Sequence, residues 1–440
     1  MRIGIRPITE HRAGGNFQYG RTMLETLCES DQYDLNHADN RDEYIVFYHP
    51  NYTLPILPAG CSERWSLCPL PLLRHEYLLS SVRSRVRTAV SAGRVRESSC
   101  TGGHGNRRAD ITYEPKKRRY LEWRIRRLKI DLMLYPSPIA ESFEIRVPFV
   151  IAIHDLQHLL QPHFPEVSAD GQFEMREYLY RNVARYATLI LADSAVGRED
   201  ILRFYEPYGV REDQVKVLPF LPADYLQSDV SASELSRVRQ FYELPERYLF
   251  YPANFWPHKN HVRIVEAIGK LKREAHLDVC VVFTGTSTDA FAHQTLADVN
   301  AMAARWDVRD AVLHLGHIPD SDMSALYTGA CALVMPTFFG PTNIPVLEAW
   351  ALGCPVLTSD IRGVREQVGE AGLLVRPESV EEIADAIRKL WTDEDLRQDL
   401  ISLGRKRLSA YTREDYRRQL NAVVDEAKVR ITSDRHLRPL

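Results

Sequence analysis

A loop that can seat a phosphate and a carboxylate that can hold a ribose lie within one run, VMPTFFGPTNIPVLEAWALGCPVLT, from Val334 to Thr358. An apolar stretch ends at Met335 and Pro336, a polar loop spans Gly340 to Asn343, and a helix carrying Glu348 follows. A helix that opens at the carboxyl end of a strand offers unpaired backbone N–H groups and the positive end of its dipole, which suits an anion. Glu348, one turn in, can accept from a ribose hydroxyl. Anion plus ribose points to a nucleotide. A second cluster, YPANFWPHKNHVRIVEAI from Tyr251 to Ile268, places Lys259 beside another helix start. A cation is unfavourable there unless an anion joins it. The third, IHDLQHLLQPHFPE from Ile153 to Glu166, sets His154 at the end of a buried run, where an imidazole can be tuned near neutral pH. Gly14 and Gly15, just before a helix, let backbone approach a ligand closely.

Other patterns are set aside on spacing. GxGxxG is absent, so the Gly14–Gly15 turn is no dinucleotide fingerprint. His154, His158 and His163 lack a His-Glu-x-x-His arrangement or a cysteine partner, and no metal site is expected. Asp155 is read as the cap of the turn after it. Of Asp320 and Asp322, which precede a helix, one is read as its N-cap.

These groups need a scaffold of alternating strands and helices. Strands are predicted at Met1–Arg6, Tyr44–Tyr48, Asp131–Tyr135, Pro148–Asp155, Ala187–Ser194, Val215–Leu218, Tyr248–Tyr251, Leu277–Thr284, Val312–Leu315, Ala332–Met335 and Pro355–Thr358. Helices are predicted at Tyr19–Glu29, Tyr120–Ile130, after Ser194 as N-cap, and at Asn260–Glu274, Thr286–Trp306, Asp322–Thr328 and Thr412–Arg430. That alternation, occurring twice, means two parallel sheets in an α/β protein, with a break near Ala223 to Leu244.

The run Ile344, Pro345, Val346, Leu347, Glu348, Ala349, then Gly353, Cys354, Pro355, Val356 resembles the retaining glycosyltransferases of the GT-B fold, family four, the bacterial polysaccharide and glycolipid enzymes. The resemblance covers nearly the whole chain and is strongest from Tyr248 to Pro377. It implies two Rossmann-like parallel-sheet domains facing a cleft, with a C-terminal helix crossing back to the first. Residues 1–222 would form the acceptor-side domain, 223–411 the donor domain, and 412–440 the helix and tail. It implies that Glu348 meets the ribose, that Lys259 holds the donor β-phosphate, and that Gly14 and Gly15 face the diphosphate. It also puts His154 beside the donor sugar and acceptor, donating to a sugar hydroxyl. The chain departs from the family at two places. Gly340 stands where the family has its first glutamate, with Pro341, Thr342 and Asn343 in place of its Gly-Phe-Gly, and Asn254 stands where it has an arginine. Thr342, Asn343 and the backbone amide of Ile344 are the candidates for the first set of contacts. Asn254, still a donor to phosphate, serves for the second, with His258 or Arg263 supplying the cation.

Composition agrees with a large protein made of two cores: 440 residues, 45% hydrophobic and 26% charged. No apolar run approaches the roughly 20 residues of a membrane span, and the first residues lack a signal-peptide core. Seven scattered cysteines, among them Cys280, Cys331 and Cys354 in apolar runs, read as free thiols in a reducing cytosol. The formal charge of −3 conceals a basic insert near 83–129, with fifteen Lys and Arg against four acids. It ends in a helix where Trp123 and Leu128 sit among Arg124, Arg126, Arg127 and Lys129, a pattern suited to an anionic membrane surface. No nucleic-acid motif accompanies the charge. The expectation is therefore a metal-independent retaining hexosyltransferase. It needs no cofactor beyond its nucleotide-diphosphate sugar co-substrate, acts on a saccharide or polyprenyl-linked acceptor, and sits in the cytoplasm or peripherally on the inner face of the plasma membrane. The rival readings are a degenerate protein that binds nucleotide sugar without transfer, and a nucleotide-sugar epimerase or hydrolase of the same fold.

Overall fold

Consecutive apolar residues can be buried together only where both faces of a strand are covered, as in a parallel sheet sandwiched by helices. Leu132–Tyr135, Phe149–Ile153 and Leu189–Ala192 are such runs, and each of their residues is buried. The computed structural model describes residues 1–8, 14–37, 42–49, 57–70, 118–227 and 229–433. Within them, β1 (Arg2–Ile5), β2 (Glu43–Tyr48), β3 (Trp65–Pro69), β4 (Leu132–Tyr135), β5 (Phe149–Ile153), β6 (Leu189–Ala192) and β7 (Val215–Val217) form one sheet, in the order β3-β2-β1-β4-β5-β6-β7. A second sheet holds β8 (Leu249–Pro252), β9 (Val281–Thr284), β10 (Val312–His314), β11 (Ala332–Met335), β12 (Val356–Ser359) and β13 (Leu373–Val375), in the order β10-β9-β8-β11-β12-β13. All pairings are parallel. The strand order reverses between β1 and β4 and again between β8 and β11, and ligands of open α/β sheets bind outside the strand ends at such points.

The last helix, Arg413–Ser433, buries Tyr416, Leu420, Val423, Val424, Ala427 and Ile431. That spacing makes one apolar stripe. The stripe joins the core of the first sheet, with Ile3, Met23, Leu27 and Leu134. Arg413 anchors its start through an ion pair to Glu29 (2.8 Å) and another to Asp224. No described helix is long and apolar enough to cross a membrane.

Several expectations need correction. The first helix runs Gly15–His37, beginning directly at the glycine pair. The strand β3 and the long helix Gln172–Tyr186 were not anticipated, because WSLCP is short and buries only Trp65 and the helix has a mixed charged face. Cys28 and Cys61 form a disulfide with Cα atoms 5.4 Å apart, so these two are not free thiols; Cys68, Cys280, Cys331 and Cys354 are. Neither aspartate caps the helix Asp320–Thr328, whose N-cap position is Pro319. Asp322 instead pairs with Arg237 at 2.6 Å and accepts from the Tyr242 hydroxyl at 2.8 Å.

Most of the basic insert lies outside the described residues, which resume at Arg118. The helix Arg119–Arg127 is present, with Ile125 buried. Tyr120 and Trp123 are exposed and stack with ring centres 5.9 Å apart, and the Arg127 guanidinium lies 4.9 Å above the Trp123 ring. Leu128 does not share that face: it packs against the first-domain core.

Candidate active site

The first-sheet side of the crevice is built from the ends of β1, β5 and β6. Gly14 has φ +57°, a left-handed conformation natural to glycine, with open space where a side chain would stand. A Cβ on Gly15 would lie 3.4 Å from Cδ1 of Ile344, so the glycine turn and the start of the helix Ile344–Ala351 meet across the cleft. His154, just past β5, bonds through Nε2 to the Pro136 carbonyl at 2.8 Å. A carbonyl can only accept, so Nε2 carries the proton. Burial lowers the ring's pKa, and the neutral ring then presents Nδ1 as an acceptor. His154 is thus built to accept from a hydroxyl, the reverse of the donor role expected for it. Tyr19 packs edge-on against the ring at 4.8 Å and Phe220 stacks at 5.7 Å.

Asp155 caps the next turn as expected, accepting from the Gln157 N–H at 3.0 Å, and also pairs with Arg176 at 2.9 Å. Burial pushes its carboxyl up, but Arg176 and the Gln157 N–H outweigh this and hold it below the ordinary range. Ser194 caps the helix Ala195–Tyr205 by accepting from Gly197 N–H, also as expected. Its neighbour Asp193, buried at the end of β6, accepts from the Thr342 hydroxyl of the facing domain.

On the second-sheet side, a short turn, Pro257–Lys259, follows β8 and leads into the helix His261–Ala275. Asn260 adopts φ 64°, a conformation that asparagine tolerates. Its amide ties the carbonyls of Pro336 (2.7 Å) and Pro377 (2.8 Å) together. The Lys259 carbonyl accepts from the Tyr251 hydroxyl at 3.0 Å, and the His258 carbonyl from Phe338 N–H at 2.8 Å. The Lys259 backbone is therefore fixed independently of its side chain. Burial pulls the ammonium down to about 8, against the pull of the Asp155 and Glu166 carboxylates. Among the described residues it enters no ion pair, so these acids stand near without neutralising it.

His258 does not supply the extra cation. Its Nδ1 and backbone N–H both donate to Glu166 Oε1 of the facing domain, at 2.6 and 3.1 Å. Burial brings the ring to about 4, so it is neutral at pH 7. Arg263 is held by Asn260 Oδ1 at 3.0 Å and lies over Phe338 at 5.2 Å. Asn254 accepts through Oδ1 from the N–H (2.9 Å) and hydroxyl (3.0 Å) of Thr286, which turns its amide NH2 outward as a donor.

The loop Gly340–Asn343 is pinned by Gln367, which accepts from the Asn343 N–H and donates to the Asn343 carbonyl, each at 2.9 Å. With that N–H taken and Pro345 lacking one, the Ile344 N–H is the donor left at the helix start. Glu348 is buried, and its two oxygens accept from the hydroxyls of Tyr225 (3.1 Å) and Tyr327 (2.6 Å). Burial raises its carboxyl despite those hydroxyls. Each oxygen retains a lone pair for a further donor.

The structure therefore brings Gly15 to Ile344, Thr342 to Asp193, and Lys259 to the acids of the first domain. Asn254 and Glu348 are held by Thr286 and by two tyrosines. His158 bonds Glu177 at 3.1 Å and His163 leans on Phe164 at 4.4 Å, so the three histidines do not converge. Among the described residues no group of three His, Cys, Asp or Glu side chains is placed to hold a metal ion. Sequence reasoning missed Asp193, Glu166, Arg176, Tyr225 and Tyr327. Only Asp193 had a local signal, an acid directly after a fully apolar strand whose end faces the crevice.

Residues 234–407 match the family described as Glycosyl transferases group 1. Over 221 residues, 50% of this chain, the sequence is 28% identical to O-antigen chain mannosyltransferase B of Escherichia coli, and the match spans 55% of that relative's length. Sucrose-phosphate synthase from Thermosynechococcus elongatus superposes with a TM-score of 0.67 at 16% identity, over 98% of this chain and 99% of that one. The Anabaena protein HepE, in complex with UDP and glucose, superposes with a TM-score of 0.64 at 16% identity, over 98% and 100%. At these identities the structural likeness shows the fold alone.

Proposed function

We propose, because residues 234–407 match the Glycosyl transferases group 1 family and the chain takes the GT-B fold, that it moves a hexosyl group, with retention, from a nucleotide-diphosphate sugar to a saccharide or polyprenyl-linked saccharide in cell-surface polysaccharide biosynthesis. The observation that carries this reading is the half-buried Lys259, set in the turn that opens the helix His261–Ala275 and without an ion-pair partner among the described residues. A diphosphate completes it. The donor phosphates meet Lys259, the Asn254 amide, the Ile344 N–H and the open side of Gly14. Glu348 takes the ribose, and Nδ1 of His154 accepts from a hydroxyl of the sugar or the acceptor. In transfer, the electron pair of the anomeric C–O bond leaves with the β-phosphate oxygen while the acceptor oxygen bonds the anomeric carbon from the same face. The acceptor proton passes to the departing phosphate. Lys259 stabilises the charge that grows there, and no protein nucleophile or metal takes part.

The test is a transfer assay with a panel of nucleotide sugars and oligosaccharide acceptors, beginning with mannosyl donors because the Escherichia coli relative is named a mannosyltransferase. Product with the donor's anomeric configuration, formed equally in chelator, is the expected result. Inversion, or activity lost in chelator and restored by a divalent ion, overturns the mechanism. Binding without transfer would make the chain a nucleotide-sugar-binding protein, and a new sugar epimer without acceptor would make it an epimerase.

A lipid-linked acceptor lies at a membrane, and we further propose that the helix Arg119–Arg127 docks there, on the cytoplasmic leaflet. Its exposed Tyr120 and Trp123 suit the headgroup region, with Arg124, Arg126, Arg127 and Lys129 around them. Each engaged cation contributes roughly 1 kcal/mol, and the attraction fades at high salt, where the Debye length is about 3 Å at 1 M. Co-sedimentation with anionic vesicles is expected at low salt and is lost when the four cations are neutralised. Equal pelleting on neutral and anionic vesicles, or none on either, removes this role.

A further inference from the structure

Sugar hydroxyls are donors that need fixed acceptors, yet the second-domain loop that faces the cleft carries no acid. Gly340 has φ +140°, and a Cβ there would lie 2.6 Å from Asn343 Oδ1, so the position excludes any side chain unless Asn343 moves. A carboxyl reaches this loop from the other domain. Asp193 is 3% exposed at the end of β6. Its Oδ2 accepts from Thr342 Oγ1 at 2.5 Å and its Oδ1 from Ser194 Oγ at 3.2 Å. β5 and β6 run parallel with Ile153 opposite Ala192, so the next residue on each, His154 and Asp193, emerge side by side at the strand ends.

We propose that Asp193 reads a hydroxyl of the transferred sugar, delivering from the first domain the carboxylate that the loop 340–343 lacks. This rests on the transferase reading above. A carboxylate offers about four acceptor positions, and the two hydroxyls fill one each. Asp193 has no ion-pair partner among the described residues; burial, together with the charge of Asp155, pushes it up to about 7 against the hydroxyls of Thr342 and Ser194. A buried acid without a counter-charge is costly to keep, and such groups cluster where ligands bind. A latch between the domains would not need it. Arg362 already bonds Glu199 at 2.6 Å and Asp200 at 2.5 Å across the same gap, and Glu166 bonds His258.

The experiment compares wild type, Asp193→Asn and Arg362→Ala on the full chain, with the intact donor and with donors deoxygenated at single sugar hydroxyls. Asp193→Asn is expected to lower kcat/KM for the intact donor about ten- to hundredfold, the scale of one hydrogen bond to a charged group. Affinity for the bare nucleoside diphosphate and the thermal unfolding temperature should not change. One deoxy donor should be strongly impaired with wild type yet lose nothing further with Asp193→Asn, which identifies the hydroxyl read. Arg362→Ala should leave that pattern intact. An active wild type for which every deoxy penalty adds fully to that of Asp193→Asn overturns this proposal and leaves the transferase reading standing. So does an Arg362→Ala variant that reproduces the Asp193→Asn pattern. A wild type that transfers from no nucleotide sugar overturns both.

Discussion

Lys259→Ala is expected to lower turnover by about a hundredfold or more, the scale of losing one charged group aimed at transition-state charge. The fold should persist, because what fixes this turn is backbone: the Lys259 N–H donates to the Trp256 carbonyl at 2.9 Å and its own carbonyl accepts from Tyr251. Removing a desolvated ammonium without an ion-pair partner also relieves a burial cost in the free protein, so the thermal unfolding temperature should hold or rise. The same group sets a pH limb. Its pKa lies near 8, depressed from 10.5 by burial although Asp155 and Glu166 draw it back up, and only the charged form attracts phosphate. For wild type, kcat/KM for the donor should therefore fall as pH rises through about 8. Lys259→Arg should lack that limb whatever its absolute rate, since a guanidinium does not deprotonate in this range. Wild-type turnover in the alanine variant would remove Lys259 from the chemistry.

Glu348→Gln should weaken binding of the nucleoside diphosphate itself about ten- to hundredfold, with no sugar present, because the group it is proposed to hold is the ribose. The carboxylate accepts from Tyr225 and Tyr327, one hydroxyl per oxygen. An amide at this position keeps only one acceptor atom, so a tyrosine hydroxyl must turn and the ribose loses its charged partner. Calorimetry with the diphosphate measures the loss, and thermal unfolding separates it from any loosening of the helix Ile344–Ala351. Unchanged affinity in a folded variant would leave Glu348 as a buried anchor for two tyrosines.

Much of the architecture is legible along the chain because parallel strands buried on both faces must be written as local apolar runs. The strand Ala332–Met335 lies where the sequence placed it, and β5, β6 and β8 differ from expectation only at their ends. The stripe from Tyr416 to Ile431 likewise announces a helix with one face to bury. Lys259 stood out for a related reason: a helix start is recognisable in sequence, and a lysine beside it is unfavourable without an anion. What no local pattern carries is a contact between distant residues. Asp193 meets Thr342 across 149 positions and Glu166 meets His258 across 92, while Cys28 reaches Cys61 across 33. His154 looked like a hydrogen-bond donor until the Pro136 carbonyl claimed its proton, and Leu128 like a membrane residue until the core took it. Residue types and spacing determine which groups stand at strand ends and helix starts. Which carboxylate is free, which histidine is neutral and which hydroxyl faces which acid are decided when the two sheets close on one another, since hydrogen-bond partners and desolvation are properties of the packed cleft.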